Sequence, residues 1–224
     1  MSDLSLGVET LIQLLADGEW HSGDQLGGAL GVSRAAISKK MKQLQSLNMQ
    51  YESAKGKGYK LREPLDLLHE DALTEKLLNA SAHQACSANL IIKSVLDSTN
   101  SYLLREMRER DVHRSVCMAE LQTSGKGRRG REWYSPYGQN LYLSLAYSFT
   151  SGVAAIEGLS LAVGVVISEA LESLGVSGVR LKWPNDILVE DKKLGGILIE
   201  LGGDAVSNCV AIIGVGLNLS LIHI

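Results

Sequence analysis

The stretch SGDQLGGALGVSRAAISKKMKQL, residues 22–44, decides the fold of the N-terminal unit. Leu26 and Leu30 mark a short helix that begins near Ser22, and Gly31 turns the chain. Ser33 then stands as the N-cap of a further helix, with Ile37, Met41 and Leu44 as its buried stripe and Arg34, Ser38, Lys39 and Lys42 on the other face. Helix, short glycine-containing turn, helix is the helix-turn-helix arrangement, in which the start of the second helix reaches base edges while flanking cations hold phosphates. Upstream, Leu4, Val8, Leu11, Ile12 and Leu15 recur at helical spacing and Gly18 stops that helix. Downstream, Tyr51 to Leu61 reads as a hairpin tipped by Lys55-Gly56-Lys57-Gly58, the wing of a winged helix.

Composition sets the wider bounds. The chain has 224 residues, 45% hydrophobic and 21% charged, enough apolar material for a real core and too much for intrinsic disorder. The formal net charge of -3 argues against a nucleic-acid binder until its distribution is read. Residues 1–33 carry five acidic side chains and no Lys or Arg, whereas residues 34–62 carry eight basic ones against Glu52 alone. Such a patch attracts a polyanion whatever the whole chain's charge. A basic amphipathic helix in isolation is equally a solvated face. Turn, cap, charge segregation and wing together favour DNA, with Ser33, Arg34, Ser38, Lys39, Lys42, Lys55 and Lys57 as the candidate contacts.

Cys86, Cys117 and Cys209 are odd in number, far apart and never in CxxC spacing, so neither a disulfide framework nor a zinc site is expected and a reducing cytoplasm fits. The start lacks a basic segment, and the most apolar stretch, residues 153–171, is interrupted by Glu157 and Glu169. No signal peptide and no membrane span are therefore expected.

Around Pro64 the composition changes. The expected organisation is a winged helix at 1–64, a linker helix within 65–84 (an acidic helix at 67–78), and a second domain at 85–218. In that domain apolar runs at 91–96, 116–121, 140–149, 179–183, 187–189, 195–201 and 210–217 alternate with helices at 100–110 and 154–174. Their turn residues suit hairpins, which predicts an α+β domain on a mixed, largely antiparallel sheet.

Three motifs carry chemistry. Gly125-Lys126-Gly127-Arg128-Arg129-Gly130-Arg131 packs three glycines and four cations into one loop before Trp133. It is either a solvated basic turn or the cradle of an oligophosphate or acyl phosphate, and it matches neither the P-loop nor the dinucleotide fingerprint. Lys182-Trp183-Pro184-Asn185-Asp186, followed by Lys192-Lys193-Leu194-Gly195-Gly196, is an ordinary turn in isolation or a convergence of Lys and Asp on a carboxylate and a metal-bound phosphate. Asp97-Ser98-Thr99-Asn100 opens a helix, as a cap, a ligand contact or both.

The order of these features resembles the bifunctional biotin protein ligase and biotin operon repressor family over residues 11–218, with Gln122 and the Gly214 to Asn218 segment completing the set. The resemblance implies a class II synthetase-like catalytic domain that uses ATP and Mg²⁺ to turn biotin into biotinyl-5'-AMP and then biotinylates a lysine of a biotin carboxyl carrier protein. It implies that Ser98, Thr99, Asn100, Gln122, Lys126, Gly127, Arg128, Lys193 and Gly196 bind biotin. Lys126, Arg128, Arg129, Arg131, Trp133, Asn185, Asp186 and Asn218 are implied on the nucleotide side. Arg128, Lys193 and Asp186 are the implied catalytic set, with Asp186 the Mg²⁺ candidate. Lys126 stands where the family usually has arginine, exchanging a planar two-pronged donor for a point charge. The resemblance further implies a ligand-induced homodimer that represses the biotin operon by binding its operator.

The resemblance implies a further small C-terminal SH3-like domain, which is expected to have no counterpart within these 224 residues. Residues 219–224, LSLIHI, read as a translation of a transposon adapter commonly used in sequencing, so they are expected to be non-native. Two rival readings remain: a non-catalytic biotin-sensing repressor, and a lipoyl ligase-like enzyme. If DNA binding and ligation reside in separate units, Arg34→Ala weakens operator binding in a gel-shift assay and leaves biotin transfer intact; loss of both counts against separable domains.

Overall fold

The computed structural model describes residues 5–80, 88–150, 156–204 and 208–219. The chain opens with α1 (Leu6–Leu15), α2 (Gly23–Leu30) and α3 (Arg34–Ser46), followed by the hairpin β1 (Tyr51–Ala54) and β2 (Gly58–Leu61). Ser22 and Gln25 form a reciprocal capping box on α2, Gly31 ends it in the left-handed conformation, and the Ser33 hydroxyl accepts from Ala36 N–H to cap α3. Leu11, Ile12, Leu15, Leu26, Ile37, Met41 and Leu44 are fully enclosed between the three helices. Helix-turn-helix and wing are both present. The wing is fastened by paired hydrogen bonds between His21 and Tyr59, each 2.9 Å. Gly58, at φ +103°, lies against the His21 backbone where a side chain has no room.

The linker differs from expectation. Helix α4 spans Glu70–Ala80, starting three residues later than the sequence suggested. Leu65 and Leu67 pack against the winged-helix core, so this segment stays extended to bury them, with Leu65 N–H donating to Ala16 O at 2.8 Å. The expected linker's residues 81–84, Cys86, the expected helix start at residue 154 and the tail 220–224 lie outside the described residues.

The second unit contains β3 (Asn89–Leu96), α5 (Thr99–Glu106), β4 (Ser115–Gln122), β5 (Leu141–Phe149), α6 (Leu159–Ser173), β6 (Val179–Lys182), β7 (Asp186–Val189), β8 (Lys192–Asp204) and β9 (Asn208–Leu217). Its seven strands lie in the order β3-β4-β5-β9-β8-β7-β6. Only β3 and β4 run parallel, the others pairing antiparallel, as the hairpin-like turns predicted. Successive residues of β9 face opposite sides. Ile212 packs with Leu103 of α5, while Ile213 and Leu217 pack beneath α6. Among the described residues no helix is long and apolar enough to cross a membrane. Cys117 and Cys209 are buried free thiols, and burial pushes the Cys117 thiol up to about 12.

The two units share a core. Leu121 and Tyr137 of the sheet unit join the buried winged-helix cluster, and Tyr137 Oη lies 2.7 Å from Ser94 Oγ. Glu120, 7% exposed, accepts from Leu68 N–H at 2.6 Å and so ties down the linker. Burial raises its carboxyl pKa, and the Leu68 bond opposes this only in part. A raised native pKa stabilises the fold below the unfolded-state value of about 4.3 and is lost as pH climbs through the native value. Glu120→Gln, which keeps the acceptor, is therefore expected to match the parent chain at pH 4 in urea titrations and to exceed it in stability at pH 7.

Candidate active site

A cavity of about 350 Å³ lies over the middle of the sheet, between the Gly125–Trp133 loop and the Trp183–Asp186 turn. Its floor is made by omission. Gly196 of β8 and Gly216 of β9 are paired across the strands. A Cβ at Gly216 would stand 2.6 Å from the Trp133 ring, and one at Gly196 would stand 3.2 Å from it. The ring fills the space those side chains would take.

One end of the cavity is neutral and tightly hydrogen-bonded. Ser98 caps α5, and Asp97 binds Arg105 through both carboxylate oxygens, at 2.6 and 2.9 Å. Chiefly that guanidinium holds the Asp97 carboxyl below the usual range. Thr99 N–H donates to Gln122 Oε1 at 2.9 Å, and Gln122 Nε2 donates to Ser135 Oγ at 3.1 Å. Ser144 Oγ lies 2.6 Å from Asn100 Oδ1 and 2.7 Å from Thr99 Oγ1. Asn100 Nδ2 donates to Leu198 O at 3.3 Å and to Glu200 Oε2 at 2.8 Å. Ser98, Thr99, Asn100 and Ser144 are each no more than 4% exposed, so these groups are set before any ligand arrives.

The other end is cationic. Lys126, Arg128, Arg129, Arg131 and Lys193 line it, against Glu132 and Asp186. The loop is folded by Gly127 N–H to Arg131 O at 2.7 Å and Trp133 N–H to Gly125 O at 2.8 Å, with Arg129 at φ +56° in a short 3₁₀ turn. Arg128 donates to Asn185 Oδ1 at 3.1 Å, and Asn185 Nδ2 donates to Ile197 O at 2.7 Å. Lys193 Nζ sits 2.7 Å from Asp186 and 5.3 Å from the Trp133 ring centroid. Lys126 Nζ is 3.4 Å from Glu200 Oε1. The indole Nε1 of Trp133 is buried without a hydrogen-bond partner, an unmet donor inside the cavity.

Every residue suggested by sequence for the small-molecule site lines this cavity except Asn218. Asn218 lies beside it, its Nδ2 donating to Lys193 O at 3.2 Å and its N–H to Leu194 O at 2.7 Å, so it holds the strand that carries Lys193. The sequence reading missed Ser135, Ser144 and Glu200, and it gave Trp183, which lines the cavity, only as part of the Lys182–Asp186 motif without a role of its own. Ser144 was readable as a polar residue of β5 set between Leu143 and Leu145. Glu200 was readable as the third member of the alternating set Gly196, Leu198, Glu200. On the winged helix, Arg34, Lys39, Lys42, Lys55 and Lys57 are exposed and Ser38 is half-buried. Arg34 runs along Gly23, and Lys57 Nζ lies 5.7 Å from the Trp20 ring centroid.

Residues 92–218 match the biotin/lipoate A/B protein ligase family, and residues 8–60 match an HTH domain. The chain belongs to the biotin/lipoate A/B protein ligase family. The family match encloses the whole cavity lining, and the HTH match runs from Val8 within α1 through α2, α3 and the wing up to Lys60. The bifunctional ligase/repressor BirA of Salmonella typhimurium is 46% identical over 215 residues, covering 95% of this chain. That of Escherichia coli is 44% identical over 211 residues, covering 94% of this chain. The chain spans 63% of the length of each of these relatives. Among solved structures, the biotin protein ligase of Leishmania major in complex with biotinyl-5-AMP superposes with a TM-score of 0.53 at 30% identity, covering 61% of this chain and 59% of that one.

Within this ligase fold the glycine floor is open to direct test. Gly216→Ala forces the Trp133 ring out of its place. The expected result is a red shift of tryptophan emission and at least about tenfold weaker ligand binding, a loss of roughly 1.4 kcal/mol, with far-ultraviolet circular dichroism unchanged.

Proposed function

We propose that the chain activates biotin with ATP to give biotinyl-5'-AMP and pyrophosphate, transfers biotin to a lysine of a biotin carboxyl carrier protein, and represses the biotin operon when loaded with the adenylate. The observation that carries this reading is one cavity with two chemistries: a rigid, neutral hydrogen-bonding end and an end lined by five cations. The names of the relatives support it.

The reaction needs no protein nucleophile. A biotin carboxylate oxygen attacks the α-phosphorus of ATP, a P–O bond forms, and the bond to the pyrophosphate oxygen breaks. The carrier lysine amine then attacks the acyl carbon, and AMP leaves with the electron pair of the C–O bond. The enzyme's task is to bring two anions together and spread charge on phosphorus. In this reading Ser98, Thr99, Asn100 and Gln122 hold the ureido ring, with Lys126, Gly127 and Gly196 along the biotin chain. Arg128 and Lys193 meet the carboxylate and the α-phosphate. Arg129, Arg131, Trp133 and Asn185 serve the nucleotide, and Asn218 acts through the Lys193 strand.

Mg²⁺ suits this donor set only as an ion carried mainly by ATP phosphates, since Asp186 offers a single carboxylate already paired to Lys193. Bound there, it supplies further charge neutralisation on the phosphates. Among the described residues no group of three His, Cys, Asp or Glu side chains gathers to hold a metal.

A lipoyl substrate fits less well. Its dithiolane ring gives a cluster of buried amide and hydroxyl groups nothing to hydrogen-bond, whereas a ureido ring presents N–H, C=O and N–H. A pure sensor has no use for Arg128, Asp186 and Lys193 converging on one point. We further assign residues 1–64 to operator binding through Ser33, Arg34, Ser38, Lys39, Lys42, Lys55 and Lys57. Residues 65–84 are the linker and 85–218 the catalytic domain of a cytoplasmic protein that dimerises on binding the adenylate.

The test is adenylate formation by the purified chain from biotin, Mg²⁺ and α-labelled ATP, followed by transfer to a carrier domain. Lys193→Ala is expected to slow adenylate formation by about 10²–10³-fold, the usual cost of one group that stabilises transition-state charge. Biotin binding without any adenylate from the parent chain favours the sensor.

A further inference from the structure

Glu200 has no part in the chemistry above, yet its carboxylate touches both ends of the cavity. Its Oε2 receives Asn100 Nδ2 at 2.8 Å and its Oε1 lies 3.4 Å from Lys126 Nζ. A carboxylate only accepts, so Asn100 must turn its NH₂ group toward Glu200 and its Oδ1 toward Ser144. Both Asn100 N–H groups are then spent, on Glu200 and on Leu198 O. Ser144 has one proton and two oxygen neighbours, Asn100 Oδ1 at 2.6 Å and Thr99 Oγ1 at 2.7 Å. Since Asn100 Oδ1 has no proton to offer, the Ser144 proton goes there. The short contact between Ser144 and Thr99 is then a hydrogen bond only if Thr99 donates. Gln122 Oε1 stands farther from the Thr99 hydroxyl, at 3.2 Å, and is served by Thr99 N–H at 2.9 Å.

We infer that Glu200 is a positioning residue: by fixing Asn100, with the Leu198 carbonyl as the longer second acceptor, it sets the direction of the Asn100–Ser144–Thr99 chain and leaves Thr99 Oγ1 as an acceptor for a ring N–H of the bound ligand. The inference rests on the biotin reading of the cavity. It concerns buried groups, where a donor facing a donor is costly and direction is therefore enforced. With glutamine at 200 the shorter of the two acceptor-only contacts on Asn100 is lifted, and only Leu198 O at 3.3 Å still opposes its reversal. The new amide can donate to Asn100 Oδ1, Asn100 then donates to Ser144, Ser144 to Thr99, and the Thr99 proton turns to Gln122. Thr99 Oγ1 thereby gives up acceptor capacity toward the ligand.

The probes are biotin and a cyclic carbamate analogue in which the ureido N–H facing Thr99 is replaced by oxygen, the carboxylate chain being unchanged. Dissociation constants are measured by calorimetry for the parent chain, Glu200→Gln, Ser144→Ala and the double variant, with thermal unfolding confirming that each is folded. Because both probes carry the same carboxylate, any loss through the freed Lys126 moves them equally and cancels in their ratio.

The parent is expected to prefer biotin about tenfold or more, the effect of one well-placed hydrogen bond together with the unpaired acceptor left by the analogue. Glu200→Gln is expected to reduce that preference to within about twofold. Ser144→Ala removes the only hydroxyl that can donate to Thr99, so it should keep the preference for biotin, and the double variant should regain what Glu200→Gln loses. An unchanged ratio in Glu200→Gln, or no recovery of the preference in the double variant, overturns the role of Glu200. Failure of the parent chain to bind biotin overturns the ligase reading instead.

Discussion

Two adjacent strands at the centre of the sheet give up their side chains on one face, and the site depends on that omission. Gly196 lies opposite Gly216, and Gly214 lies between Ser144 of β5 and Leu198 of β8 in the register. A sheet face packed at normal density leaves no room for a substrate. Here the missing side chains open a trough that Asn100 enters from α5 and Trp133 enters from the basic loop. The strand pairing that builds the core thus also sets how closely these two residues approach each other's floor.

The two ends of the trough obey different rules. At the neutral end the polar atoms are buried and mutually satisfied, so their geometry is fixed by the fold. At the cationic end the contacts are partly open to water. The side chains of Lys193 and Asp186 are 45% and 28% exposed, and an ion pair so placed contributes at most about 1 kcal/mol. Lys193 can therefore exchange Asp186 for a ligand oxyanion at little cost. Under the function proposed above, rigidity at one end serves selectivity for a ring, and exchangeable partners at the other suit a phosphate that must arrive and leave.

The winged helix is joined to this site by packing as well as by chain. The segment from Trp133 to Tyr137 runs out of the cavity, where Trp133 lies on the glycines and Ser135 holds Gln122, and ends with Tyr137 in the core shared with α1 and α3. Leu65 and Leu67 complete the same cluster from the linker.

What the sequence revealed follows from the range of the forces involved. The helix-turn-helix was legible to within a residue or two because caps, glycine turns and apolar stripes act locally. Ser22, Gly31 and Ser33 do in the structure what their types suggest. The hairpin character of the second unit was legible from its turns. The strand order was not, because the placement of β9 between β5 and β8 is settled by packing of distant segments. The helix expected to begin at residue 67 failed for a related reason: Leu67 finds its core in another unit, and that gain outweighs local helix preference. Of the site, the charged loop and the Ser98–Asn100 triplet announced themselves by composition. Glu200 shows only which face of the strand it shares with Gly196 and Leu198, because a single carboxylate in a strand otherwise reads as a solvated position. Its importance arises only when folding brings Asn100, a hundred residues earlier in the chain, against it. A buried hydrogen-bond chain has a direction as well as a geometry, and that direction is set by whichever member cannot donate. Here Asn100 meets two such members, the Glu200 carboxylate at 2.8 Å and the Leu198 carbonyl at 3.3 Å.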